Sequence, residues 1–139
     1  MIYLDTSALL KLVHPEPQTD ALRRFLRAQA RLPKVTSALA CAELIRAVRR
    51  VNHERPDAGL LDAELEQAGR LIAALRLVEV SRPLLTDAGT VGGPCLRTLD
   101  AIHCASAVRL AAGLAAFVTY DKRLAQAAED AGLPVASPG

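Results

Sequence analysis

Short runs of strand-forming residues alternate with longer amphipathic stretches along the whole sequence. That alternation limits the fold more than any other feature. The first run is Ile2-Tyr3-Leu4, with Asp5 directly after it and Thr6-Ser7 placed to start a helix that Ala8 to Val13 continue. Lys34-Val35-Thr36-Ser37 reads as a second strand, Leu77-Val78-Glu79-Val80 as a third and Ala115 to Thr119 as a fourth. Leu133-Pro134-Val135 suits a last edge strand, where proline is tolerated. Strands alternating with helices predict an α/β fold with right-handed crossovers. The expected architecture is a three-layer α/β/α domain around a central parallel sheet of four to five strands.

The helical stretches carry their own signals. After a break at His14-Pro15-Glu16-Pro17, a helix is expected from about Gln18 to Arg31, with Pro17 in its first turn and Leu22, Phe25 and Leu26 on one face. Ser37 is placed to cap a helix reaching about Arg55. Leu44, Val48 and Val51 form its core stripe. Glu43, Arg46 and Arg50 share the neighbouring one, with Glu43 about two turns in. Pro56 and Gly59 mark a turn into a helix whose Leu61, Leu65, Ala68, Ile72 and Leu75 make a narrow seam, which predicts an antiparallel helical hairpin. Ser81 with Pro83 opens a short helix to about Ala88. Thr98 is the expected N-cap of a helix to about Ala112, closed by Gly113; it is apolar nearly all round and hence central. A last helix spans Lys122 to Ala131, and the tail Ser137-Pro138-Gly139 is expected to fray.

A length of 139 residues suits a single domain, 1–139, with one real core. Aromatics are only 3%, so Ala, Leu and Val must do the packing, which favours helices over a β-sandwich. The chain opens on a strand without a basic segment, so no signal peptide is expected. The longest uncharged apolar run, Leu110 to Val118, is far shorter than the ~20 residues of a membrane span. The expected location is therefore cytoplasmic. Cys41, Cys95 and Cys104 lack CxxC spacing and read as reduced thiols, with Cys41 and Cys104 as small core fillers; a zinc site is not expected.

Four acids carry the chemistry. In the expected architecture Asp5 and Asp121 end strands at one edge of the sheet, and that edge is where parallel sheets bind ligands. Asp100 lies in the first turn of a helix that faces the same edge, and Glu43 lies near the start of another. Each alone is a surface charge or a cap; together they would repel and raise some of their pKa values. A hard divalent cation removes the conflict, and all-oxygen ligands select Mg²⁺ or Mn²⁺. The reaction class that follows is metal-assisted phosphodiester hydrolysis. Setting the four aside leaves 11 acids against 17 bases, a body of net charge +6 that would suit a polyanion. The bases are 14 Arg and 3 Lys, a bias that a GC-rich genome also produces.

Leu4-Asp5-Thr6-Ser7-Ala8, Ala42-Glu43-Leu44, Leu99-Asp100-Ala101-Ile102-His103 and Val118 to Leu124 (VTYDKRL), in that order, resemble the PIN domain, in particular the VapC ribonuclease toxins of toxin–antitoxin pairs. The resemblance spans nearly the whole chain. It implies Asp5, Glu43, Asp100 and Asp121 as an acidic quartet around Mg²⁺ or Mn²⁺, endonucleolytic cleavage of RNA, a homodimer, and inhibition by a VapB-type antitoxin. Among supporting residues, Thr119, Thr6 and Ser7 suit hydrogen bonds to a metal ligand or a water, although a strand-end role accounts for Thr119 and capping for Thr6 and Ser7. Arg46 and Arg50 suit RNA phosphates or a solvated pairing with Glu43. His103, at i+3 from Asp100, suits either a core hydrogen bond or the orientation of Asp100. His14 and His53 read as surface residues.

Two other readings are weaker. A phosphatase using Asp5 as nucleophile would want a second Asp two residues on, where this chain has Ser7. No GxGxxG follows a strand, so a dinucleotide-binding fold is excluded. A non-catalytic RNA- or protein-binding module on the same fold is the remaining alternative, and four intact acids weigh against it.

Overall fold

A computed structural model describes residues 1–55 and 59–139. Pro56, half of the expected turn signal, lies outside the described residues. The elements run β1 (Ile2–Leu4), α1 (Thr6–Val13), α2 (Thr19–Ala28), β2 (Lys34–Ser37), α3 (Ala40–Glu54), α4 (Leu61–Ala73), β3 (Arg76–Val78), α5 (Arg82–Ala88), α6 (Thr98–Val108), β4 (Ala116–Val118), α7 (Lys122–Asp130) and β5 (Val135–Ala136). A short 3₁₀ turn, Ala111–Gly113, precedes β4. The strands form one sheet in the order β3-β2-β1-β4-β5, and every pairing is parallel.

The period of two within each strand separates two cores. Ile2 and Leu4 of β1, with Ala116 and Val118 of β4, pack against Leu9, Leu22, Leu44 and Val48 from α1, α2 and α3. Tyr3 and Phe117 point the other way, to Cys104, Ala107, Leu124 and Ala128 of α6 and α7. The Tyr3 and Phe117 rings stack, with centroids 5.2 Å apart. This is the expected three-layer arrangement, with all five strands present. Seven consecutive residues of α6, Ala101 to Ala107, are buried, as its apolar sequence predicts.

Several local expectations change. Helix α2 is shorter than its pattern suggests, and its N-cap is Gln18, in the left-handed region at φ 70°, so Pro17 falls outside it. Helix α3 begins at Ala40, with Ser37 Oγ accepting from the Leu39 N–H in the turn before it. Glu43 therefore sits in the first turn of α3, closer to the sheet edge than expected. Arg97 is the N-cap of α6 and makes no side-chain capping bond; Thr98 is already helical. Helix α6 stops at Val108, before the stretch of small residues assigned to it. Cys41 is exposed; Cys104 is the buried filler.

Two polar fastenings hold the helical layers. His14 is not a surface residue: its Nδ1 lies 2.8 Å from Oε1 of the buried Glu64, whose Oε2 accepts from Asn52 Nδ2 at 2.7 Å. These contacts tie the end of α1 to both α3 and α4. The tail is also fastened, against expectation. Ser137 Oγ donates to the Thr119 carbonyl at 2.6 Å, and the Tyr120 hydroxyl donates to the Pro138 carbonyl at 2.9 Å. The Lys11 ammonium lies over the Tyr120 ring, 4.7 Å from its centroid, and donates to Glu16 at 2.8 Å. Among the described residues, no helix is long and apolar enough to cross a membrane.

Leu44 is fully buried between α3 and the sheet, whereas Leu77 on the edge strand β3 is 39% exposed. Leu44→Ala should lose about 2–5 kcal/mol of stability. Leu77→Ala should lose less than about 1.5 kcal/mol. Urea unfolding of the two variants checks the assigned core, and equal losses would contradict it.

Candidate functional site

The β1–β4 pairing builds the site. Leu4 lies opposite Val118, so the next residues, Asp5 and Thr119, leave the sheet side by side at its C-terminal edge. Asp5 is both the N-cap of α1 and a buried charge, only 3% exposed. Its Oδ1 accepts from the Ala8 N–H at 2.9 Å and from Ser7 Oγ at 2.7 Å. Its Oδ2 accepts from Thr119 Oγ1 at 2.7 Å. Ser7 Oγ in turn accepts from the Tyr120 N–H at 2.8 Å, and Thr119 Oγ1 from the Asp121 N–H at 3.1 Å. Thus the hydroxyls of Ser7 and Thr119 hold the loop after β4 against Asp5. Capping alone does not account for Ser7, since its oxygen bridges two strand ends.

Asp121 is the N-cap of α7, its Oδ1 accepting from the Arg123 and Leu124 N–H groups at 2.8 and 3.1 Å. Asp100 occupies the first turn of α6. Burial raises the pKa of Asp100 above its ordinary value, and the negative charges of Asp121 and Asp5 raise it further. Burial likewise raises Asp5, against the opposing effects of His103 and its hydroxyl donors. Among the described residues none of the three takes part in a salt bridge.

Glu43 is held differently. His103 Nε2 lies 2.7 Å from Glu43 Oε2, and Thr6 Oγ1 donates to the same oxygen at 2.7 Å. Burial pushes Glu43 upward, but His103 and Thr6 outweigh it and leave the pKa below the ordinary value. The other ring nitrogen, Nδ1, is 2.8 Å from the Tyr3 hydroxyl. With the proton on Nε2 facing an ionised Glu43, Nδ1 is free to accept from Tyr3. His103 therefore orients Glu43, across the boundary between α6 and α3, and not Asp100 as its spacing in sequence suggested. Sequence spacing carries no signal for this pairing, because 60 residues separate the partners.

The structure thus brings Asp5, Asp100 and Asp121 within electrostatic reach of one another, and Glu43 beside Thr6, the neighbour of Asp5. Their donor chemistry fits a hard cation: all oxygen, one carboxylate almost fully buried, and three without a cationic salt-bridge partner. They do not close into a tight cup. Among the described residues, no three His, Cys, Asp or Glu side chains form a group able to hold a metal ion. Arg46 lines a groove with Thr6 and Glu43 and makes no salt bridge among the described residues.

Comparisons with known proteins identify the family and the fold. A PIN domain pattern matches residues 2–130. The chain is 40% identical to Ribonuclease VapC47 of Mycobacterium tuberculosis (strain CDC 1551 / Oshkosh) over its whole length and 98% of that protein. It is 44% identical to Ribonuclease VapC46 of M. tuberculosis (strain ATCC 25618 / H37Rv) over 99% of the chain and 97% of that protein. Among solved structures, VapBC2 from Rickettsia felis, bound to a DNA fragment from its promoter, superposes with a TM-score of 0.70 at 17% identity, covering 100% of both chains. VapC20 of M. tuberculosis, a toxin that cleaves the sarcin–ricin loop, superposes at 0.67 with 20% identity, covering 99% of this chain and 100% of that one.

Because the folded pKa of Asp5 is raised, stability is lost as the pH rises from the unfolded-state pKa through the folded one, and the loss is absent only below the unfolded-state value. Thr119→Val removes a hydrogen bond that offsets the burial. In metal-free protein it should cost about 1–3 kcal/mol at neutral pH. The loss should shrink as the pH falls towards about 4. Urea unfolding across that range reads it; a loss independent of pH would contradict an ionised, buried Asp5.

Proposed function

We propose, from the premise that this chain belongs to the PIN-domain family, that it is a metal-dependent endoribonuclease toxin. In this reading it hydrolyses RNA phosphodiester bonds and is inhibited by a VapB-type antitoxin. The observation that carries it is the set of unneutralised carboxylates at one sheet edge, in a chain 40–44% identical to named ribonucleases. Asp5, Glu43, Asp100 and Asp121 are the proposed ligands of Mg²⁺ or Mn²⁺ and the catalytic residues. The ion, when bound, supplies Lewis-acid chemistry: it acidifies water and offsets charge on a phosphoryl oxygen.

The protein's own residues prepare that chemistry. Ser7 and Thr119 hold Asp5 in one orientation, so no reorganisation is needed when a cation arrives. Asp100 and Asp121 repel each other while protein alone surrounds them, which makes a cation their best partner. His103 and Thr6 keep Glu43 ionised at the lining of the adjoining groove. Arg46, exposed in that groove, is placed to hold a phosphate. The chain acts as one domain over 1–139, pairs as a homodimer and works in the cytoplasm. An arginine of the antitoxin would satisfy the same carboxylates and so compete with the cation.

The alternative, a binding module without catalysis, makes a different prediction about these acids. Asp5→Asn or Asp100→Asn should keep the fold and RNA binding, but lose Mg²⁺-dependent cleavage by about 100-fold or more, the equivalent of several kcal/mol of transition-state stabilisation. Excess chelator should silence the wild type equally. Gel-resolved cleavage of a defined RNA, with circular dichroism as the fold control, checks both. Full activity in either case would remove the hydrolase reading.

A further inference from the structure

We propose that the groove beside Glu43 is a track for single-stranded RNA, with phosphates on an arginine stripe of α3 and bases against a leucine wall. The inference rests on the ribonuclease reading above and names the path its substrate takes. The groove encloses about 900 Å³ and has Thr6 and Glu43 at its lining. One wall is the outer face of α3, carrying Arg46, Arg49, Arg50 and His53. At 3.6 residues per turn, these four and Glu43 fall in one sector about 120° wide. Between Glu43 and His53 the helix rises about 15 Å.

The arginines share one helix face and one groove. All three are exposed, and among the described residues none makes a salt bridge. Most other arginines are likewise unpaired, only Arg23, Arg70 and Arg109 meeting an acid among the described residues; what sets Arg46, Arg49 and Arg50 apart is that they line one groove. Arg46 and Arg50 stand at i, i+4, where like charges oppose the helix. A polyanion lying along the stripe removes that opposition, and guanidinium groups match phosphate oxygens in shape.

The apolar part of the lining argues for unpaired bases. Leu60, Leu61 and Leu99 line the same groove and are 44%, 37% and 48% exposed. A duplex presents phosphates on its outside and buries its base faces, so it leaves such a wall uncovered. A single strand offers both chemistries at once, along opposite sides. Among the described residues lining the groove none is Phe, Tyr or Trp. Bases therefore rest on leucine and on guanidinium planes, a tolerant surface with little sequence reading of its own. Glu43, the one carboxylate among the described lining residues, repels phosphate at its end of the stripe and leaves that position to a cation.

The test is fluorescence anisotropy with a labelled single-stranded RNA of mixed sequence, titrated in EDTA over a range of KCl. Combining Arg46→Ala, Arg49→Ala and Arg50→Ala should weaken binding and lower the slope of log K against log salt by about 2. Leu99→Asn should weaken binding with the slope unchanged. Arg31→Ala, ahead of β2 at the opposite edge of the sheet, should alter neither. All these side chains are exposed, so folding is retained and circular dichroism verifies it. An unchanged slope in the triple variant, equal affinity for a duplex of the same sequence, or no RNA binding by the wild type overturns the track. So does a triple variant impaired only in holding a protein partner. Adding Mg²⁺ or Mn²⁺ separates the two claims. RNA cut normally by the triple variant sinks the track alone, while RNA bound along it but never cut sinks the ribonuclease reading alone.

Discussion

One hydrogen bond organises this molecule: Thr119 Oγ1 to the carboxylate of Asp5. It exists because β1 and β4 are neighbours with Leu4 opposite Val118. A slip of one residue would turn every side chain on the strand to the wrong face. The buried charge of Asp5 makes such a slip costlier still, because a carboxylate without donors in a nearly closed site is expensive. The same bond fixes where the chain turns after β4, and hence where Asp121 stands at the start of α7. The sheet's register, the burial of Asp5 and the position of a second acid are therefore one constraint.

His103 transmits that order to the other side of the site. It is buried in α6 and joins Tyr3, on the far face of β1, to Glu43, on α3. Tyr3 is itself pinned by its stack on Phe117, so the orientation of Glu43 is anchored in packing between β1 and β4. The carboxylates are thus set by two separate devices. Asp5 is held by local hydroxyls and Glu43 by a chain of side chains through the core. Burial raises Asp5 and Asp100, whereas Glu43 is kept low by its donors.

The layered fold was legible because short strands and amphipathic helices leave different periods in a sequence. The alternation Ile2, Leu4 against Tyr3 already separates two cores. Placement of the acids was legible because parallel strands end at a common edge. Helix starts were less so: Ser37 and Thr98 have the chemistry of caps, yet backbone geometry gave those places to Leu39 and Arg97. The bond from Ser7 to Asp5 was within reach of the sequence, but the bridge from Ser7 to Tyr120 and the pairing of His103 with Glu43 were not, since those partners lie 113 and 60 residues away. Nor was the fastening of Ser137 and Pro138, which depends on where β4 ends and not on any property of the tail itself. Cys41 and His14 exchanged their expected places for the same reason, because exposure depends on which neighbouring helix covers a position.

That fastened tail has a practical bearing. Ser137 and Pro138 grip the two residues that lead from β4 into Asp121, and at the other end the Met1 ammonium donates to the Gly113 carbonyl ahead of the same strand, at 2.7 Å. Both chain ends are thus mechanically continuous with the strand that positions the acids. A purification tag or fluorescent fusion joined at either end would tug on that strand, so a label meant to leave the site undisturbed belongs on an outward position of α2, such as Arg24 or Arg27.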